Sequence, residues 1–194
     1  MRTATIERTT KETSVKLTLA LDGQGQHAIA TGVPFLDHML THVAVHGLID
    51  LHIQASGDTG VDDHHTVEDV GIVLGQALRR ALGDGAGIRR YGDAVIPMDE
   101  ALALVAVDVS GRAVLGWHVD FPAERIGDFA TEMVEEFLHA LAREGHLTIH
   151  VRLLAGRNAH HIAEAIFKAL GRALRPAVEM DERRSGIPST KGQL

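Results

Sequence analysis

One helical phrase occurs twice in this chain. "HHTVEDVGIVLGQALR" begins at His64 and "HHIAEAIFKALGRALR" at His160, and eight of the sixteen positions are identical, including both histidines and the glutamate. Repetition at this length constrains the fold, because each copy of a supersecondary unit needs equivalent surroundings to bury its apolar face. The flanking patterns repeat as well. Residues 3–8 and 13–21 read as strands by alternation and β-branching, "DGQG" at 22–25 as a hairpin turn, and 26–31 as the return strand. "FLDHMLTHVAVHG" has helical period and stops at Gly47; "LIDLHIQ" is a strand; the first copy of the phrase lies on a helix from about 63 to 82. After "GDGAG" the series restarts: three strands ("IRRYGDAV", "EALALVAVD", "RAVLGWHVD", the last two turned by "SGR"), a helix over "GDFATEMVEEFLHALAREG", the strand "LTIHVRL" and a helix over 159–176. Each half is β-β-β-α-β-α. The expected fold is therefore α+β, an α/β sandwich with mixed sheets packed against helices. We read one domain over 1–194, made of repeats at about 1–86 and 87–180. The aperiodic, basic tail 181–194 is a loop or arm, ordered only where something holds it.

Composition narrows the function classes. The net charge of −7 argues against a general nucleic-acid surface, so anionic ligands would need local basic groups. There is no cysteine, which removes disulfides and thiolate metal sites and fits an intracellular protein. The N-terminal "MRTATIERTTKE" has no apolar leader, and no apolar run is long enough to span a membrane, so a cytoplasmic location is expected. The unusual count is 13 histidines, which invites a metal reading.

The repeat filters those histidines. At an offset of 98 residues, His38 maps onto Glu136, His42 onto Ala140, and His46 onto Glu144 at a helix end. Position 38/136 thus keeps a competent ligand in both halves. At an offset of 96, Asp62 maps onto Asn158, and both can cap their helices. His64 and Glu68 lie four apart on one helical face, as do His160 and Glu164; His65 and His161 point about 100° away. Imidazole and carboxylate donors without thiolates suit Mn, Fe or Zn. The pattern predicts two quasi-equivalent sites, one of His38, His64 and Glu68 and the other of Glu136, His160 and Glu164. His65 and His161 would each cross to the other site, either within one chain or across a subunit boundary. His52 and His150 repeat mid-strand and are open to a structural or a site-facing role. His27, His118, His139 and His146 are read as surface or packing residues.

Together "FLDHML", "DDHHTVED", "PMDEALA", "VDVSGR", "HHIAEAIFKAL" and "SGIPSTKG" resemble the imidazoleglycerol-phosphate dehydratase family, in its monofunctional form, over nearly the whole chain. The resemblance implies manganese-dependent loss of water from D-erythro-imidazole glycerol phosphate, giving imidazole acetol phosphate in histidine biosynthesis. It implies two Mn²⁺ per active site and a homo-24-mer with active sites at subunit interfaces. The family's ligands fall on His38, His64, His65, Glu68, His160, His161 and Glu164; Glu136 stands where several relatives carry histidine. By the same correspondence Glu12 faces the reacting glycerol end of the substrate. It is the first choice of acid–base group, with a relay through Glu68 or Glu164 as the alternative. Asp99, Glu100 and Asp108 are weaker candidates, equally suited to a structural role at a strand end. Arg90, Arg112, Lys168, Ser189 and Lys191 surround the phosphate by that correspondence.

The chemistry asks for such groups. The hydrogen to be removed sits beside an imidazole with no carbonyl to acidify it, so metal on the ring nitrogens and a positioned acid–base group are both needed. Two other readings use the same residues: a metal-dependent hydrolase of a phosphorylated metabolite, and a non-enzymatic shell in which metals only staple subunits.

Overall fold

Alternation of apolar and polar residues sets the strands, and the computed structural model describes all residues, 1–194. In the first half, β1 (Thr3–Thr9), β2 (Thr13–Ala20), β3 (His27–Ala30) and β4 (Asp50–Gly57) form a sheet of order β1-β2-β4-β3. Helix α1 (Pro34–Gly47) precedes β4, and α2 (His64–Leu82) follows it. In the second half, β5 (Tyr91–Met98), β6 (Ala101–Asp108), β7 (Val114–His118) and β10 (Thr148–Ala155) form a sheet of order β5-β6-β10-β7. Helices α3 (Glu132–Gly145) and α4 (Ala159–Val178) flank β10. Both sheets are mixed: the third-listed strand pairs antiparallel on one side (β2, β6) and parallel on the other (β3, β7). No helix of the chain is long and apolar enough to cross a membrane.

Three sequence expectations are corrected. The segment 26–31 is not the return strand of a hairpin with β2, and β7 is not a hairpin partner of β6. In each sheet a later strand takes the middle place. β4 and β10 offer the strongest inward faces (Leu51 and Ile53; Ile149 and Val151, all buried), whereas β3 has no buried residue and lies at the edge. The 22–26 loop crosses the end of β4, where the Asp50 carboxylate accepts from the amides of Gln24 (2.8 Å) and Gln26 (2.9 Å). Third, α3 starts at Glu132 and not at 127. The preceding residues form a small antiparallel pair, β8 (Arg125–Ile126) with β9 (Phe129–Ala130), turned by Gly127 at φ +58°.

Helix pairing crosses the two halves. α2 lies on β1 and β2, and α4 lies on β5 and β6, but α1 packs on α4 and α3 packs on α2. Glycines make these approaches possible. A Cβ on Gly171 would sit 2.8 Å from the Val43 carbonyl oxygen in α1, and one on Gly75 would sit 2.7 Å from the Gly145 nitrogen in α3. Gly75 and Gly171 are the same position in the repeated phrase. One hydrophobic core of 49 buried residues runs through both sheets and all four helices. The tail folds back on the second half. The Gly87 amide donates to Gly186 O (3.0 Å), the Asp181 amide to Gly87 O (2.8 Å), and Leu194 reaches the glycine turns at 85 and 111.

Candidate active site

Asn158 caps α4 as expected, whereas the N-cap of α2 is Asp63 and Asp62 holds the helix start from one residue ahead of it. The Asp62 carboxylate accepts from the His64 amide (2.9 Å), and the Asn158 side chain accepts from the amides of His160 (2.9 Å) and His161 (3.2 Å). The first histidine and the glutamate of each phrase then lie along one face.

The two groups assemble differently from the sequence expectation. His38 joins His160 and Glu164, not His64 and Glu68; Glu136 joins His64 and Glu68, not His160 and Glu164. Within each trio all candidate ligand atoms lie within 4.8 Å of one another. The reason is the helix pairing: α1 carries His38 onto α4, and α3 carries Glu136 onto α2. In the first trio the Glu164 Oε2 is 3.2 Å from His160 Nε2 and 3.6 Å from His38 Nε2. Glu164 is 6% exposed. Burial alone would raise its pKa, but the Lys168 ammonium at 2.6 Å, with His42 and His160, brings it down to about 2. In the second trio Glu68 is also paired with Arg143 at 3.2 Å, whose guanidinium reaches on to Glu144.

One neighbour escaped the sequence argument. His42 lies 3.4 Å from Glu164 Oε1 and 3.3 Å from His38. Burial lowers its pKa to about 4, against the pull of Glu164, so it is neutral at pH 7. The charge on Glu164 is therefore balanced by Lys168. The repeat hid His42, since its partner position is Ala140; its spacing of four from His38 on one helix was the available signal.

His65 and His161 do not cross to the opposite trio within the chain. Each instead has Nδ1 facing a carboxylate. For His65 it is Asp58 (3.1 Å), with Glu12 farther off at 3.8 Å; for His161 it is Glu100 (2.7 Å). Asp58 raises the pKa of His65 and Glu100 that of His161. Conversely the His161 ring, with backbone amides, holds the Glu100 carboxyl down to about 2. A carboxylate on Nδ1 orients the ring and leaves Nε2 as the available ligand atom. His52 and His150 are exposed residues on the sheet faces away from the helices and belong to neither trio.

The basic residues divide between two places. Arg90, at positive φ (78°), donates to Asp108 at 2.7 and 3.2 Å and to the Pro188 carbonyl at 2.9 Å. Arg112 lies 3.8 Å from the same Asp108. Ser189 follows directly in the tail, and its hydroxyl accepts from the Lys191 amide at 3.2 Å. Arg90, Arg112 and the tail thus meet around Asp108, whereas Lys168 sits with Glu164 beside the histidine trio.

Comparison with known proteins settles the family. The profile of imidazoleglycerol-phosphate dehydratase matches residues 31–174. A relative of that name from Moorella thermoacetica is 60% identical over 193 residues, covering 100% of this chain and 98% of its own. This chain belongs to the imidazoleglycerol-phosphate dehydratase family. The fold agrees with solved members. The crystal structure of the Staphylococcus aureus dehydratase superposes with a TM-score of 0.84 at 43% identity, covering 92% of this chain and 99% of that one. The Pyrococcus furiosus dehydratase gives 0.85 at 41% identity, covering 97% and 100%. The family is one of metal-dependent hydro-lyases of histidine biosynthesis, so the chain is a carbon–oxygen lyase acting on a small molecule.

Proposed function

We propose that the chain dehydrates D-erythro-imidazole glycerol phosphate to imidazole acetol phosphate, with two Mn²⁺ per active site. The observation that carries this reading is the pair of trios, each supplying imidazole and carboxylate donors within 4.8 Å. Nitrogen and oxygen donors without thiolate fit manganese. His38, His160 and Glu164 would hold one ion and His64, Glu68 and Glu136 the other, with His65 and His161 offering Nε2 as further ligands. Bound manganese would draw electrons from the substrate's imidazole and so acidify the ring.

The remaining work falls to protein groups. Glu12, 58% exposed and free of hydrogen bonds at its carboxylate, carries the proton at the glycerol carbon beside the ring. Glu68 and Glu164 are engaged by Arg143 and Lys168 and serve as ligands before they serve as proton carriers. Arg90, Arg112, Ser189 and Lys191 hold the phosphate, with Lys168 reaching it from the histidine side. In this reading residues 1–194 are a single dehydratase domain of two repeats, and 181–194 is its substrate-binding tail.

We further propose a homo-24-mer with active sites between subunits. Each trio offers three ligand atoms, fewer than a six-coordinate ion takes, while His65 lies in a separate group with Glu12 and Asp58, and His161 lies outside all of these groups. A neighbouring copy is the natural source of the missing donors. The reading includes a cytoplasmic location without nucleic-acid or membrane partners, and the net charge of −7 argues against a general nucleic-acid surface. The test is incubation with imidazole glycerol phosphate and Mn²⁺. Ketone formation without free phosphate is expected. Phosphate release would replace the reading with a hydrolase, and an intact assembly without turnover would leave the metals as staples.

A further inference from the structure

The two halves hold equivalent turns in different ways. The β1–β2 and β5–β6 hairpins share one register, with Thr9 opposite Ser14 and Pro97 opposite Leu102, at an offset of 88 residues. Glu12 and Glu100 are therefore the same turn position. Glu100 is fully occupied: Oε1 accepts from the amides of Arg157 (3.2 Å) and Asn158 (2.8 Å), and Oε2 faces His161 at 2.7 Å. The Glu100 carboxylate itself ties its turn to the start of α4. Glu12 has no such bonds, yet its turn is also tied to a helix.

The tie is made by other residues. Asp69, on α2 and 7% exposed, accepts from Arg8 Nε at 3.0 Å and from the Thr13 hydroxyl. With its proton given to Asp69, the Thr13 oxygen accepts from the Thr10 hydroxyl (3.2 Å). The Thr10 oxygen in turn accepts from the amides of Glu12 (3.1 Å) and Thr13 (3.0 Å). An unbroken chain of hydrogen bonds thus runs from a buried carboxylate on α2 to the backbone of Glu12. The equivalent positions in the second half are Ile96, Ala101 and Ala165, none of which can make it.

We propose that Asp69, Thr13 and Arg8 are positioning residues for Glu12. They fix the turn from below, so the Glu12 carboxylate need not hold its own turn and stays free to carry a proton. The second half, whose turn carboxylate is bound to backbone and His161, lacks the network. Asp69 directly follows Glu68, so the same turn of α2 registers Glu12 against a ligand trio. Displacement of an acid–base group by about 1 Å reduces turnover by up to about 100-fold.

The inference rests on the assignment of Glu12 as proton carrier, and a double-mutant cycle separates the two. Thr13→Val removes the hydroxyl at constant shape, and Thr13→Ser restores it. Steady-state kinetics on the manganese-loaded enzyme should show kcat lowered about 10- to 100-fold in Thr13→Val, with KM changed less than about 2-fold and Thr13→Ser near wild type. Glu12→Gln alone should lower kcat about 100-fold or more. In the Glu12→Gln background, Thr13→Val should have almost no further effect on kcat. An equal drop in both backgrounds would reduce Thr13 to a packing residue and overturn the proposal, as would a Thr13→Val enzyme with wild-type kcat. An undiminished kcat in Glu12→Gln would remove Glu12 as the proton carrier, and the proposal with it. Asp69→Asn, assayed in parallel with its melting temperature, should lower kcat at temperatures where it remains folded; a folded Asp69→Asn enzyme of wild-type kcat would also overturn it.

Discussion

At the scale of single residues, the two trios differ in charge. One holds two histidines and one glutamate; the other holds one histidine and two glutamates, because His38 in the first half corresponds to Glu136 in the second. Two carboxylates attract a divalent ion more strongly and also repel each other when it leaves, a repulsion Arg143 partly relieves at Glu68. Glu136→Gln is expected to weaken one equivalent of Mn²⁺ and leave the other near its original affinity, as read by manganese titration. Equal weakening of both ions, or of neither, would refute independent trios. In the tail, Lys191 has no acidic partner and Ser189 sits beside the Arg90–Pro188 contact. Lys191→Ala is expected to raise KM for the phosphorylated substrate several-fold, with kcat little changed, since one exposed cation on a phosphate contributes about 1 kcal/mol. An unchanged KM would detach the tail from phosphate binding.

At the scale of elements, contacts between helices decide where the proposed ligands meet. Gly171 lets α4 approach the backbone of α1 at Val43 and Gly47. A methyl group there must push the helices apart, so Gly171→Ala should destabilise the fold by about 1–3 kcal/mol in denaturant titration. It should also spread His38 from His160 and Glu164, weakening metal binding at that trio more than at the other. The β2–β3 crossover has its own anchor. Backbone amides hold the Asp50 carboxyl below its ordinary pKa, with the Gln24 amide the main cause. A folded pKa below the unfolded one means this stabilisation is complete above the ordinary carboxylate range. It is lost as pH falls through the depressed folded value. Asp50→Ala should cost about 1 kcal/mol at pH 7, the modest figure for hydrogen bonds partly open to water, and should flatten the acid limb of stability against pH. An acid limb identical to wild type would show that Asp50 does not anchor the crossover.

At the scale of the whole molecule, the proposed assembly and activity depend on the same side chains. His64→Ala and His160→Ala each remove one trio member, and each should abolish turnover and weaken assembly, measured by kcat and by size-exclusion mass. Wild-type values of both would end the two-site reading. Much of this was open to inspection in the chain alone. The repeated phrase marked His64, Glu68, His160 and Glu164, because a helix places residues four apart on one face wherever it is packed. The helix-start contacts of Asp62 and Asn158 were legible because each is made between near neighbours. The strand alternation set the element order and the mixed α+β class for the same local reason, and the motifs carried the family. What the chain alone could not decide were relations between elements distant in sequence. Which strand sits at the centre of each sheet depends on comparative burial, so β4 and β10 displaced the expected hairpin partners. Which helix faces which depends on glycine notches and sheet geometry, so His38 met His160, and Glu136 met His64. Local sequence determined which side chains share a helical face; only the tertiary packing decided which faces share a site, because that choice is made by the mutual fit of surfaces far apart along the chain.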